Sequence, residues 1–358
     1  MSAGIADTGV ADTGIADTGA ADTGAADKGI ADMGAAGDRP AKFARALPAA
    51  PRSLAARLTR WLKGRAPATL ARAPMPEISD APWGAWTPTP RQNAAIQICR
   101  RLPVLRSAAR AHAALAIQRA RPGPVDIPWH DACVRHYPRL TSSFRLMLLA
   151  GERYQAEEFA FLAAHMGREG AFLDIGANAG AFTFWACKQS GGAPVVAVEP
   201  AARLAAALRS NVRLFGQWCE AIGWAAPTIH VLEHALGEAE GTAAFSPGQE
   251  SLLAGHDTVE VRVRPLLAVL HERGIARLSA LKIDVEGYED RVLLPFLAAA
   301  PRSLLPRAVL IEHLAQPLWR DDAIAALVRS GYRTAFTNAQ NSGLVLVENE
   351  PAVAPPGA

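Results

Sequence analysis

Cysteine is scarce in this chain. Its 358 residues hold only four, Cys99, Cys133, Cys187 and Cys219, with no C-x-x-C and no metal-ligand spacing. That excludes a disulfide scaffold and a cysteine-ligated metal site, and it predicts free thiols in a reducing compartment. Long apolar runs are missing as well. No stretch reaches 18 apolar residues, so no transmembrane helix is expected. The opening "MSAGIADTGV" has neither the basic n-region nor the apolar h-region of a secretory signal. A cytoplasmic location is expected, with attachment at a membrane surface left open by the charge pattern below. Lysine is also rare: arginine far outnumbers it, a bias that reads as base composition rather than function.

What is present is unevenly charged. Residues 1–38 carry seven Asp and one Lys, or −6. Residues 39–125 carry sixteen Lys or Arg against Glu77 and Asp80, or +14. The remaining 20 basic and 25 acidic residues leave the rest at −5. The first segment repeats every five residues ("GIADTGVADTGIADTG"), with at most one large apolar side chain per unit. Such units bury too little surface to offset the entropy of ordering them, so residues 1–38 are expected to be a disordered tail. Residues 39–140 read as a basic, mostly helical arm with Pro-rich linkers. In "RSLAARLTRWLKGR" (52–65), Leu54, Leu58, Trp61 and Leu62 fall on one helical face. One reading lays that helix on an anionic membrane surface or another polyanion. The other packs its apolar stripe on a neighbour, with the arginines in solvent. No specific nucleic acid is predicted.

From residue 141 to about 350 the texture changes. Continuous apolar runs ("AFLDIG", "APVVAVEP", "LSALKI", "RAVLIEH") alternate with helical patterns such as "RLAAALRSNVRLFG" (203–216), expected to close at Gly216. "GTAAFS" and "TVEVRVR" suggest an antiparallel excursion. Strands apolar on both alternations belong to a sheet covered on both faces, so an α/β, doubly wound, mostly parallel Rossmann-like sheet is expected. The last residues, 351–358, read as a second disordered tail.

Ligands of open α/β sheets bind beyond the carboxyl ends of the strands, where strand order reverses. "FLDIGANAG" falls there. Gly176 permits a turn that a Cβ would block, and Gly180 lets the next helix approach closely. The loop contains no G-x-x-x-x-G-K-[ST], and it reads D-x-G-x-x-x-G rather than G-x-G-x-x-G. A carboxylate in the loop repels a pyrophosphate. S-adenosylmethionine carries an ammonium, a sulfonium and a carboxylate but no phosphate, and it suits Asp174 beside exposed backbone N–H groups. Glu199 ends the second strand, where an acid accepts hydrogen bonds from both ribose hydroxyls; the alternative is a solvated strand-end charge. Asn178 either hydrogen-bonds the donor's carboxylate or serves to tolerate a left-handed backbone.

"FLDIGANAG", "VVAVEP" and "LKIDVEGYEDRVL" together resemble the FkbM-type S-adenosylmethionine-dependent methyltransferases, over about residues 150–347. The K-I-D-V-E-G run followed by Glu289 is the distinctive part. "HALGEAEGTAAFS" resembles the hairpin segment after the family's third strand, and "VLIEH" its fifth strand. "VRVRPLLAVL" departs from the Thr-Leu-Asp that many members carry before the helix. The resemblance implies a class I methyltransferase sheet and methyl transfer to hydroxyl groups of sugars, lipids or secondary metabolites.

Three residues are candidates for the chemistry. Asp284 and Glu286 sit at the carboxyl end of "LKIDVEG", where a carboxylate can orient or deprotonate an acceptor hydroxyl. The alternative is that Lys282 pairs with Asp284 and Glu286 caps the next helix. His313 ends the fifth strand as a candidate base, since imidazole titrates near neutrality. Asp284 with Glu312 is also a candidate pair for a divalent cation, although no ligand triad is evident. Two other functions compete: a non-catalytic Rossmann-like module whose basic arm binds a membrane or polyanion, and an NAD(P)-dependent oxidoreductase.

Overall fold

The computed structural model describes residues 77–101, 107–167, 169–246 and 258–347. The five-residue repeat, the candidate helix at 52–65 and the final tail lie outside the described residues.

Helices α1 (Pro90–Arg101) and α2 (Ser107–Ala120) are followed by a ribbon of β1 (Val125–Asp126) and β2 (Arg135–His136), then α3 (Ser142–Ala150) and α4 (Ala156–His165). Thr141 starts α3 by accepting the Phe144 N–H at 3.2 Å, an ordinary N-cap. Next come β3 (Ala171–Ile175), α5 (Ala181–Gln189), β4 (Val195–Val198), α6 (Ala202–Ala221) and β5 (Ile229–Leu232). An excursion of β6 (Ala235–Leu236), β7 (Gly241–Phe245) and β8 (Val259–Arg264) leads through α7 (Leu266–Glu272) to β9 (Leu278–Ile283). The chain closes with α8 (Glu289–Ala299), β10 (Ala308–Glu312), α9 (Ala323–Arg329), β11 (Tyr332–Thr337) and β12 (Asn341–Leu346).

Seven strands form the main sheet in the order β11-β12-β10-β9-β3-β4-β5. β5, β4, β3, β9 and β10 are parallel, while β12 runs antiparallel between β10 and β11. Strand order reverses between β3 and β9, as the doubly wound reading requires. Successive strand residues enter opposite cores. Phe172, Val195, Ala197, Ala280 and Leu310 pack on one face. Leu173, Val196, Val198, Leu281 and Val309 pack on the other. That is why these strands are apolar on both alternations, apart from Asp174, Ser279, Lys282 and Glu312. Each fully buried Leu or Val contributes about 1.5–3 kcal/mol. The three-stranded excursion, ordered β6-β8-β7, pairs β7 and β8 antiparallel as expected. In place of the Thr-Leu-Asp, Pro265 starts α7, whose Leu266, Val269 and Leu270 are buried.

Two sequence expectations change. α6 does not close at Gly216 but runs on to Ala221. Its apolar stripe continues through Phe215 and Cys219, both buried, and that burial outweighs the ~1 kcal/mol cost of an interior glycine. The boundary expected near residue 140 is not a structural break. Ile96, Ile117 and Val125 share a core with Leu148 and Leu149 of α3, and the Trp129 indole N–H donates to the Ala181 carbonyl at 3.0 Å. A buried ion pair fixes the preceding strap: Arg135 Nε lies 2.7 Å from Asp126 Oδ1. The Arg135 guanidinium also donates to the carbonyls of Ser79, Ala81 and Pro82.

Candidate active site

A cleft of about 1270 Å³, counting its open mouth, lies beyond the carboxyl ends of the parallel strands. Its floor is the turn between β3 and α5. Gly176 has φ +73°, and a Cβ there would sit 1.9 Å from the Asp284 carbonyl oxygen. Only glycine lets the ends of β3 and β9 come this close. Gly180, at φ +81°, starts α5 where a Cβ would meet Leu208 at 2.6 Å. Asn178 adopts the left-handed conformation at φ +49°, as one of its two readings requires.

The backbone of this turn is fully engaged at four positions. Gly176 and Ala177 both donate to the Val198 carbonyl, at 2.9 and 3.0 Å. Gly180 donates to Ala177 at 2.8 Å, and Asn178 donates to Glu199 Oε2 at 2.8 Å. The exposed N–H groups expected at these residues are thus taken by the protein itself. Glu199 ends β4 almost fully buried. Its second oxygen accepts the Ala201 N–H at 2.9 Å. Burial pushes its carboxyl up to about 7, against the pull of these two hydrogen bonds. Both oxygens keep a lone pair, and the residue lines the cleft.

Asp174 lies elsewhere than expected. It is 0% exposed and is not among the cleft-lining residues. The side chain points into the sheet, one residue before the strand end. There Thr183 Oγ1 donates to its Oδ2 at 2.6 Å, and Lys282 Nζ stands 3.7 Å from Oδ1. Burial raises its pKa, opposed by Lys282 and by Thr183. Asp174 thus stands under the cleft floor, between Thr183 and Lys282. Lys282 reaches the cleft in its place. Its ammonium donates to the Gly176 carbonyl at 2.8 Å and lies 3.4 Å from that of Ile175. Asp284 Oδ2 is 3.8 Å away.

Asp284, Glu286 and Glu312 all line the cleft. Glu286 has φ +57°, a strained value for a non-glycine residue. The N-cap of α8 is Tyr288 rather than Glu286, and it makes no side-chain capping bond. Glu289, the first residue of α8, ties the preceding turn, accepting the N–H groups of Val285 at 2.9 Å and Gly287 at 3.0 Å, together with the Trp319 indole N–H at 2.6 Å. The reason is geometric: the left-handed turn at Glu286 and Gly287 brings the amides of Val285 and Gly287 to the first residue of the helix. Burial pushes the Glu289 carboxyl up to about 7. His313 is not a cleft-lining residue. Its Nδ1 is 3.1 Å from Ser342 Oγ on β12, because strand alternation sends Glu312 to the cleft and its neighbour away from it. Burial lowers the His313 pKa.

Ligand oxygens of Asp284, Glu289 and Glu312 lie within 4.8 Å of one another. The three carboxylates have the spacing of a cation's ligand set, which the sequence did not reveal, and Glu289 also accepts three N–H groups. His234, with its pKa lowered by burial, lines the β5 side of the cleft. Ser142, Tyr154 and Gln155 wall it from the segment before β3. Sequence reading missed that wall and the roles of Glu289 and Trp319. For Lys282 it offered the pairing with Asp284 but not the approach to the Gly176 and Ile175 carbonyls.

The family model of the methyltransferase FkbM domain matches residues 174–334. No curated protein gives a match. Among solved structures, methyltransferase FkbM from Methylobacillus flagellatus KT is 17% identical, with a TM-score of 0.33 over 71% of this chain and 58% of that one. A methyltransferase from Pyrococcus furiosus is 13% identical, with a TM-score of 0.33 over 66% of this chain and 95% of that one. M. jannaschii TYW2 in complex with AdoMet is 9% identical, with a TM-score of 0.31 over 63% and 87%. Likenesses this weak carry no weight beside the domain match and the strand order. The match places a methyltransferase FkbM domain at residues 174–334 of this chain.

Proposed function

We propose that this domain methylates a hydroxyl group of a sugar, lipid or secondary metabolite. The observation that carries the reading is the carboxylate of Glu312, which lines the cleft at the end of β10, across the switch point from Glu199. The residues present fit S-adenosylmethionine. The turn at Gly176–Gly180 leaves room beyond the strand ends, Glu199 offers two lone pairs to a ribose diol, and no phosphate-binding loop is present. When bound, the donor supplies a methyl group already activated on a sulfonium.

Strand order sets the layout along the cleft. His234 and Ala235 wall the end beyond β5, for the adenine. Glu199 at β4 takes the ribose hydroxyls, and Asn178 stands beside it. Lys282 and Asp284 hold the end over β3 and β9. Glu312, with Glu286 nearby, faces the acceptor. Glu312 accepts the hydroxyl proton as the new bond forms, and Glu286 orients the acceptor. Holding the reactants in line supplies much of the rate, so one placed carboxylate is sufficient machinery. The wall from Ser142 to Gln155 keeps water from the reacting atoms.

The test is transfer of isotopically labelled methyl from the donor into a cell extract, with mass spectrometry of the product. Glu312→Gln should abolish label incorporation while donor affinity stays within about threefold, since no donor contact is assigned to Glu312. Incorporation at the wild-type rate, or a product labelled on nitrogen or carbon, would overturn the reading.

A further inference from the structure

We propose that Asn341, with its amide oriented by Glu158, selects the acceptor by accepting a hydrogen bond from a second hydroxyl beside the one that is methylated, so that the acceptor is an uncharged vicinal diol. The inference rests on the hydroxyl-methylation reading above and narrows its substrate class.

Strand register brings the two acceptor-facing groups together. Asn341 begins β12 directly opposite Glu312 of β10. Opposed residues of an antiparallel pair project to the same face, with Cβ atoms about 4.5–5.5 Å apart. Both residues line the cleft and both are buried. Helix α4 packs closely on that face: a Cβ at Gly343, two residues further along β12, would meet the Phe161 ring at 2.7 Å. One turn earlier on the helix stands Glu158, also buried. Its Oε1 accepts from Asn341 Nδ2 at 2.9 Å and from Asn338 Nδ2 at 2.9 Å.

A carboxylate oxygen only accepts, so the atom that Asn341 turns toward Glu158 is its nitrogen. The amide oxygen is then held away from Glu158. No group among the described residues donates to that oxygen. It is the polar atom that Asn341 offers to a ligand. Glu312 takes the proton of the reacting hydroxyl, and Asn341 Oδ1 beside it takes the hydrogen of the neighbouring one. Glu158 acts through Asn341 and is a positioning residue.

Charge narrows the acceptor further. Asp284, Glu286 and Glu312 line this end of the cleft, and no arginine does among the described residues. The one lysine of the lining, Lys282, is engaged with the Gly176 and Ile175 carbonyls. A phosphate or carboxylate on the acceptor would meet repulsion there. Glu158 and Asn341 both lie outside residues 174–334, so this device belongs to the segments that flank the matched domain.

The experiment follows labelled methyl from S-adenosylmethionine into serial dilutions of a cell extract, with wild type, Asn341→Leu and Glu158→Gln. Asn341→Leu should raise the extract concentration for half-maximal rate roughly 10-fold, the effect of leaving one hydroxyl unpaired, with affinity for S-adenosylhomocysteine changed less than about threefold. Glu158→Gln should shift the same quantity by about threefold, because glutamine can meet either end of the Asn341 amide and lets it turn over. Residues that only brace α4 on β12 would lower the maximal rate and donor affinity together without moving half-saturation, and that result would overturn the proposal. So would an unchanged half-saturation in either variant. The wild-type product gives a test that needs no variant. It should pass through an anion exchanger and, by mass spectrometry after acetylation, carry a free hydroxyl on the carbon next to the labelled methoxy group. An anionic product, or a methoxy group with no hydroxyl neighbour, would overturn the proposal. Label on nitrogen or carbon would instead defeat the hydroxyl reading itself.

Discussion

The two halves of the cleft are built differently. The half over β3 and β4 is made of backbone: a turn with glycines at two positions, a left-handed Asn178, and a Glu199 carboxylate gripped by two amides. The half over β9 and β10 is made of side chains gathered from distant segments, including Glu312, Gln340, Asn341 and the wall at 142–155. The first half tolerates little change, because its backbone approaches are close. On the proposed reading the second half faces the acceptor, where side chains can change without disturbing the strands beneath.

The largest effect should come from Gly176→Ala in the backbone-built half. The new methyl would meet the Asp284 carbonyl at 1.9 Å and impose a positive φ. A loss of about 3 kcal/mol or more in denaturant unfolding is expected, with donor binding abolished. Tolerance of this change would erase the contrast between the halves. Next is Glu199→Gln. It should weaken S-adenosylhomocysteine roughly 10- to 100-fold by calorimetry, because one of the two backbone amides then faces an NH₂ group.

The same variant gives a pH test. The Glu199 carboxyl is raised to about 7 from 4.5 in the folded state. Its contribution to stability is fully present below about pH 4.5 and is lost as pH rises through about 7. Wild type should therefore lose stability relative to Glu199→Gln across that window, by up to about 3 kcal/mol. A difference independent of pH would mean that the carboxylate is not buried. Donor affinity runs the opposite way: it should weaken below about pH 7, and binding at pH 6.5 should release a proton, detected as a heat that depends on the buffer.

In the side-chain-built half, His313→Ala should change label transfer less than threefold, since that ring faces Ser342. A larger loss would return His313 to the chemistry. The smallest effect is expected far from both halves. A Cβ at Gly216 would meet nothing within 4 Å, so Gly216→Ala should stabilise the chain by about 0.5–1 kcal/mol in thermal unfolding.

The same contrast governs what could be read before the structure. The sheet was legible because covered parallel strands are apolar on both alternations, and the turn was legible because its glycines and Asp174 lie within a few residues of one another. The roles of Asp174 and Glu286 were not. A strand's pleat decides whether Asp174 faces the cleft or the sheet, and one residue of register reverses the answer. Glu289 ties the turn before α8 because the left-handed backbone at Glu286 and Gly287 brings the Val285 and Gly287 amides to it, a spacing no motif announces. The wall at 142–155 lies outside the family match and carries no motif, so only the folded chain brings it to the site.

The most direct measurement is a calorimetric titration of the full chain with S-adenosylhomocysteine and, separately, with NAD, repeated on Glu199→Gln. One-site binding of S-adenosylhomocysteine by wild type is expected, weakened in the variant, with no heat from NAD. Binding of NAD in preference, or an unaltered affinity in Glu199→Gln, would contradict the assignment of this cleft.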